Sequence, residues 1–191
     1  MWWLRAGWLR CSVSAARTKL PTWTMAWSVR TFDVRPAVPD DAPALARIYN
    51  QGIDDRIATL ETELRAPDER RRWLAGRGPR HPVVVGDAAG AVVGWALNPF
   101  NPRAAYDHVA DISVYVERGW RGRGVGRRLL TSLIELGGEL GYHKLVLAAF
   151  PFNGAGIALY ERVGFATVGV YHEQGRLDGK WVDVVVMERM L

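Results

Sequence analysis

Cysteine is nearly missing from this chain. A single thiol, Cys11, allows no intrachain disulfide, no cysteine metal site and no covalent cysteine intermediate in the body of the protein. Long hydrophobic runs are also missing: 49% of the residues are hydrophobic, but no segment approaches the ~18 or more apolar residues of a membrane span. A globular protein of about one domain's length, without a membrane partner, is expected. Acidic residues are absent from residues 1 to 30, which hold five basic ones, whereas the remainder balances 20 basic against 20 acidic residues. The formal charge of +5 therefore belongs to the N-terminal segment. No nucleic-acid partner is expected, and Arg70-Arg71-Arg72 is read as the solvated side of a helix.

The same thirty residues hold five of the nine Trp: Trp2, Trp3, Trp8, Trp23 and Trp27. They show neither a clean apolar run nor a small-residue cleavage pattern, so a secretory signal is not expected, and the Trp density argues against a transit peptide. Met25 stands just before the regular pattern begins. Residues 1 to 30 are read as a poorly ordered extension from an upstream start, and residues 31 to 191 as one domain working in the cytoplasm.

From residue 31 strands and helices alternate. Thr31 to Arg35 reads as a strand, and Pro39-Asp40-Asp41 opens a helix whose apolar face carries Ala44, Leu45, Ile48 and Tyr49. A polar loop follows over 54 to 64, then a helix from Pro67 to Leu74. Pro82 to Val85 and Ala91 to Leu97 read as a hairpin, and His108 to Val116 as a strand of period two. In that strand Ala110, Ile112, Val114 and Val116 share one face; Asp111, Ser113 and Tyr115 share the other, where a cleft is expected. A helix over Val125 to Leu140 contains Gly137-Gly138, which either permits close packing or ends the helix early. Lys144 to Phe150, Gly164 to Val170 and Trp181 to Arg189 read as strands, and Asn153 to Val163 as a helix.

The chemistry starts at Arg121-Gly122-Arg123-Gly124-Val125-Gly126, between a strand and a helix. Unpaired N–H groups at a helix start attract anions, and glycines let a pyrophosphate approach them. A P-loop is excluded, because Gly126 is followed by Arg127-Arg128 and not by Lys-Ser/Thr. A dinucleotide fingerprint is excluded because Gly122-x-Gly124-x-Gly126 is one residue short and the following strand, Lys144 to Phe150, ends without a carboxylate. What remains is Arg-x-x-Gly-x-Gly, which resembles the acyl-CoA pyrophosphate motif of the Gcn5-related N-acetyltransferases. The alternative is a glycine-rich corner that binds nothing.

Four segments make the resemblance more specific: Ile48-Tyr49-Asn50-Gln51, Pro102-Arg103-Ala104-Ala105-Tyr106-Asp107, Ser113-Val114-Tyr115-Val116 with the turn, and Leu177-Asp178-Gly179-Lys180-Trp181-Val182-Asp183. From Val34 onward the chain is similar to the acetyltransferases of phosphinothricin, methionine sulfoximine and arsinothricin. The resemblance implies a single-domain α/β acetyltransferase fold, its mixed central sheet splayed between the fourth and fifth strands, with flanking helices. It implies acetyl-CoA as co-substrate and no metal, a small amino acid as the other substrate, and a homodimer. The implied cofactor-binding residues are Val114, Tyr115, Val116, Arg121, Gly122, Arg123, Gly124, Val125, Gly126, Arg127 and Asn153, although Asn153 reads equally well as a helix N-cap.

Amine acetylation needs a proton acceptor, for which Asp111 is the candidate where the family has Glu; a solvated carboxylate or a structural ion pair is the alternative. Tyr160 is the candidate donor to the leaving thiolate, with a plain core tyrosine as its alternative. Arg103 would hold a carboxylate or phosphinate through its planar fork, with Tyr106 and Leu60 beside it. Asn101 replaces a second cation and Leu60 an aromatic residue of the relatives, which weakens the case for phosphinothricin or arsinothricin and leaves methionine sulfone or sulfoximine open. His81, His108, His143 and His172 show no metal-ligand spacing.

Overall fold

A computed structural model of the protein describes residues 32–101 and 103–191; the N-terminal extension, residues 1 to 30, and the first strand residue, Thr31, lie outside them. Seven strands, β1 (Asp33–Pro36), β2 (Val84–Ala88), β3 (Ala91–Pro99), β4 (Val109–Val116), β5 (Lys144–Ala149), β6 (Ala166–Leu177) and β7 (Lys180–Met190), form one sheet in the order β1-β2-β3-β4-β5-β7-β6. Four helices flank it: α1 (Ala42–Asp54), α2 (Pro67–Ala75), α3 (Val125–Glu139) and α4 (Gly154–Arg162). Every pairing is antiparallel except β4–β5. Parallel neighbours need a crossover, and α3 supplies it.

Both faces of the sheet are covered. On one, Leu129, Leu130 and Leu133 of α3 pack with Ala110, Ile112, Leu145, Leu147 and Met187; on the other, Leu45 and Ile48 of α1 pack with Val83, Val85 and Val92. This corrects the expected division of β4 into a core face and a cleft face. Ala110, Ile112, Val114 and Val116 do share the α3 side, but Tyr115 packs beneath α1, because a central strand in a three-layer fold is buried on both faces. The cleft opens at the strand's edge instead. β4 and β5 pair only through Val109, Ala110 and Asp111, while β3 follows β4 out to Val116 and β7 follows β5 out to Ala149. A bulge sets this divergence: between Ala96↔Val114 and Asn98↔Asp111 two residues of β4 oppose one of β3, which bends the strand.

One open alternative is decided and two further expectations change. Helix α3 runs through Gly137-Gly138 to Glu139, and close packing is the reason for the first glycine: a Cβ there would lie 2.9 Å from Leu191 and 3.3 Å from Leu145. Strand β6 reaches Leu177, well past Val170, and turns into β7 through Asp178 and Gly179, both with positive φ. Its extension lacked a period because β6 is an edge strand with Val168, Val170 and Tyr171 exposed. Finally, Arg70 is not solvated. It is 8% exposed, with its guanidinium 3.9 Å from the Tyr49 ring centre and 5.4 Å from that of Trp73, since an arginine stem and planar head bury well against aromatic faces. Among the described residues no helix is long and apolar enough to cross a membrane.

Candidate active site

The divergence of β4 and β5 leaves a cleft lined by Val114, Tyr115 and Val116 along one wall and by Gly156, Leu159 and Tyr160 of α4 along the other, with Arg121 and Gly126 at one end and Ile57, Ala58 and Asn153 closing over it. A smaller cavity continues from it past Ser113, Ala148 and Ala149. Seven of the expected residues, Val114, Tyr115, Val116, Arg121, Gly126, Asn153 and Tyr160, therefore meet around one cleft.

The glycine turn has the geometry of an anion cradle. Gly122 and Gly124 adopt φ of 74° and 82°, which disfavours other residues, and a Cβ at either would meet nothing within 4 Å. Gly124 is the N-cap of α3 with no side chain capping it, and the first N–H groups of a helix have no partner within it. Gly126 has a different role from the other two: its Cβ would lie 3.0 Å from Leu159, so it sets the approach of α3 to α4. Arg123 sits 5.3 Å over the Trp120 ring. Arg123 and Arg127 are exposed at the mouth of the cradle. Arg121 turns inward, with Nε donating to the Val116 carbonyl at 3.0 Å and Nη1 donating to Asp55 at 2.6 Å. These features fit a pyrophosphate-bearing cofactor.

Asp111 lies at the last paired position before the strands part, opposite Val146. It is not among the residues lining the cleft. Burial pushes its carboxyl up to about 7, partly offset by the Ile112 backbone N–H, and no arginine or lysine forms an ion pair with it among the described residues. The ion-pair alternative thus finds no partner among the described residues. Tyr160 packs with the α3-side core, edge-on to Phe165, and also lines the cleft. Burial raises its hydroxyl to about 12, so it stays protonated. Burial likewise raises the hydroxyl of Tyr115, whose ring lies 4.9 Å from that of Tyr49.

Asn153 is an N-cap: its Oδ1 accepts the Gly156 N–H at 3.0 Å. Its Nδ2 donates to the Ile57 carbonyl at 3.2 Å, tying down the loop that follows α1. The two bonds separate by substitution. Asn153→Ser, which keeps a capping oxygen, should cost a few tenths of a kcal/mol, and Asn153→Ala about 1 kcal/mol. Both should weaken acyl-CoA binding equally if the tie to Ile57 shapes the cleft. Denaturant unfolding and calorimetry read the two quantities, and full binding by the Ser variant would remove that role.

The substrate residues are placed less closely. Leu60 packs with Phe150, Leu177, Val182 and Val184, its side chain filling the space above Gly175. Arg103 and Tyr106 are exposed on the β3–β4 connection, where the Tyr106 ring lies tilted against that of Phe100 at 5.5 Å and the Asn101 side chain accepts the Arg103 N–H at 3.0 Å. They do not line the cleft. The connection enters β4 two residues before Asp111, so it stands at the end of the cleft remote from the glycine turn.

Sequence reading missed Ile57 and Ala58, which roof the cleft, and Asp55, which holds Arg118 and Arg121. The only trace was the acidic pair Asp54-Asp55 opposite a basic turn, and its meaning depends on a contact 63 residues away along the chain. Among the described residues no three His, Cys, Asp or Glu side chains converge on a metal site.

Comparison with known proteins agrees with this geometry. The chain is 32% identical over 158 residues to the L-methionine sulfoximine/L-methionine sulfone acetyltransferase of Pseudomonas paraeruginosa, covering 81% of this chain and 92% of that one. It superposes with a TM-score of 0.77 and 31% identity on a GNAT superfamily phosphinothricin acetyltransferase from Sinorhizobium meliloti in complex with AcCoA, over 84% of this chain and 89% of that one. It superposes with a TM-score of 0.80 and 36% identity on a ribosomal-protein-alanine N-acetyltransferase from Brucella melitensis, over 83% and 99%. Residues 45–165 match the model of the acetyltransferase (GNAT) family, and with the splayed sheet and glycine cradle in place, it is to this family that the chain belongs.

Proposed function

We propose that this protein acetylates the α-amine of a small amino acid of the phosphinothricin or methionine sulfoximine type, with acetyl-CoA as donor. The observation that carries the reading is the cleft itself, with an anion cradle at one end and a half-buried, near-neutral Asp111 beside the other. Acetyl-CoA supplies an activated acyl carbon and a thiol leaving group. The chain's contribution is to bind, orient and move protons. On its side away from β3, β4 has no strand paired with Val114 to Val116, and that edge offers strand-like hydrogen bonds to an extended arm and a donor for the developing oxyanion. Asp111 takes the proton that the ammonium must lose, the amine adds to the acyl carbon, the C–S bond breaks as the oxyanion collapses, and Tyr160 donates to the departing sulfur. A thiolate of pKa about 8.5 leaves tolerably unaided, so that last contribution is worth about tenfold or less.

The roof over the cleft favours a small substrate over a peptide. Ile57 is bonded to Asn153, Arg56 to Asp178 at the β6–β7 turn, and Leu60 is seated over Gly175, which closes one side of the groove that a peptide would need. Within the small substrates a neutral side-chain group is favoured. Asn101 stands in place of a cation, with its amide oxygen accepting the Arg103 N–H, and Leu60 presents no aromatic wall. Methionine sulfone and sulfoximine are accordingly placed ahead of phosphinothricin and arsinothricin. A homodimer in the cytoplasm completes the proposal, with exposed Val168, Val170, Tyr171 and Trp181 offering an apolar surface.

The deciding experiment is a thiol-release assay with acetyl-CoA across methionine sulfone, methionine sulfoximine, phosphinothricin, arsinothricin and peptides beginning with alanine. Turnover on the first two ahead of the others is expected. Turnover confined to peptides would replace this reading with that of an enzyme acetylating the N-terminus of a protein or peptide. For the substrate anchor, Arg103→Ala should raise the amino acid KM by about tenfold or more with acetyl-CoA affinity unchanged, because the lost partner is a charge-assisted pair. An unchanged KM would remove Arg103 from the site.

A further inference from the structure

Asp55 caps the C-terminal end of α1, where the exposed carbonyls make a negative charge unfavourable. Two arginines of the segment leading into the glycine turn compensate it. Arg118 donates Nε and Nη2 to Oδ1 at 2.9 and 2.6 Å, and Arg121 donates Nη1 to Oδ2 at 2.6 Å. The Arg118 hydrogen bonds, and then those of Arg121, hold the Asp55 carboxyl below the usual carboxylate range, so it is ionised at any neutral pH. The joint is reinforced on both sides: the Arg118 N–H donates to the Gln51 side chain of α1 at 2.9 Å, and Arg121 Nε bonds the Val116 carbonyl at the end of β4. Immediately after Asp55 the chain runs into the roof of the cleft, where the Ile57 carbonyl is bonded to Asn153.

We propose that Asp55 is a positioning residue that couples the glycine turn to the roof of the cleft. The inference rests on the acetyl-CoA reading above. An anion seated against the N-terminus of α3 orders the turn, and with it Arg118 and Arg121. Through their shared carboxylate, the start of the 54 to 64 loop is ordered as well. Occupancy of the cofactor end thus prepares the end that receives the amine, and the two ligands bind with positive coupling, because the second pays less of the ordering cost.

Amide hydrogen exchange of residues 56 to 60, with coenzyme A as the probe, tests this without knowledge of the amine substrate. In the parent protein coenzyme A should slow exchange of these amides by about tenfold. In Asp55→Ala it should still bind by calorimetry, yet protect them by less than about twofold. Asp55→Asn, which keeps the shape and loses the charge, should behave like the Ala variant and serves if that one fails to fold. Asp54→Ala, which removes the neighbouring exposed charge, should keep full protection. A purely structural role for Asp55 would raise exchange in all states without abolishing the response to coenzyme A. Equal protection in the Asp55 variants, or none in a parent that binds coenzyme A, would overturn the inference. Failure of the parent to bind coenzyme A would overturn the acetyl-CoA reading itself.

Discussion

Asp111→Asn is expected to lower turnover by about 10²-fold or more while leaving acetyl-CoA affinity alone. The parent's kcat/KM should rise with pH along a limb near 7, where the buried carboxyl ionises, and the variant should lose that limb. Stability should move the other way. A carboxyl whose folded pKa is raised helps the fold only while protonated; its contribution is lost as pH rises from the ordinary value of 3.8 through about 7. At pH 8 the ionised, half-buried Asp111 therefore costs stability, and the uncharged variant should be more stable by on the order of 1 to 3 kcal/mol. Near pH 4 the two should differ little. A variant that is slow but not stabilised would place Asp111 in the reaction and deny its burial; one that is stabilised but turns over normally would make bulk water or another group the proton acceptor.

Gly124→Trp is expected to weaken acetyl-CoA binding by more than about 10²-fold, because a side chain grown from this position enters the space that a pyrophosphate must occupy. The substitution also forces a non-glycine residue to φ of 82°, a strain of about 1 to 2 kcal/mol. Gly124→Ala carries the same strain with almost no bulk and separates the two effects. Calorimetry on both, with circular dichroism to establish folding, should find the Ala variant close to the parent and the Trp variant without measurable binding. Undiminished binding by a folded Trp variant would detach the turn from the cofactor.

How legible these features were depended on the range of the forces behind them. The glycine turn and its flanking elements follow from local backbone and hydrophobic periodicity, so Val125 as the start of α3 and the alternation of β4 could be read directly. The N-cap at Asn153 and the core positions Leu45 and Ile48 are local in the same sense. The two covered faces of β4 were not legible, because Tyr115 looks amphipathic in sequence and is buried only once α1 is laid across it. The burial of Arg70 was hidden for a related reason: the rings it needs, Tyr49 and Trp73, come from two different helices. The extension of β6 left no pattern because an exposed edge imposes none. Arg103 and Tyr106 came from the resemblance alone, and no local physics fixes where an exposed connection sends its side chains.

The parting of β4 from β5 after Asp111 has a thermodynamic consequence for the protein as a whole. A native sheet interrupted at its centre has forgone hydrogen bonds that a ligand arm can supply, and that ligand binds the folded chain alone. By mass action, each tenfold increase in free ligand above its Kd then adds about 1.4 kcal/mol to the free energy of unfolding. The melting temperature of such a protein is a function of its donor's concentration. In a cell depleted of acetyl-CoA the enzyme would lose stability along with its substrate, so its abundance and its rate would fall together.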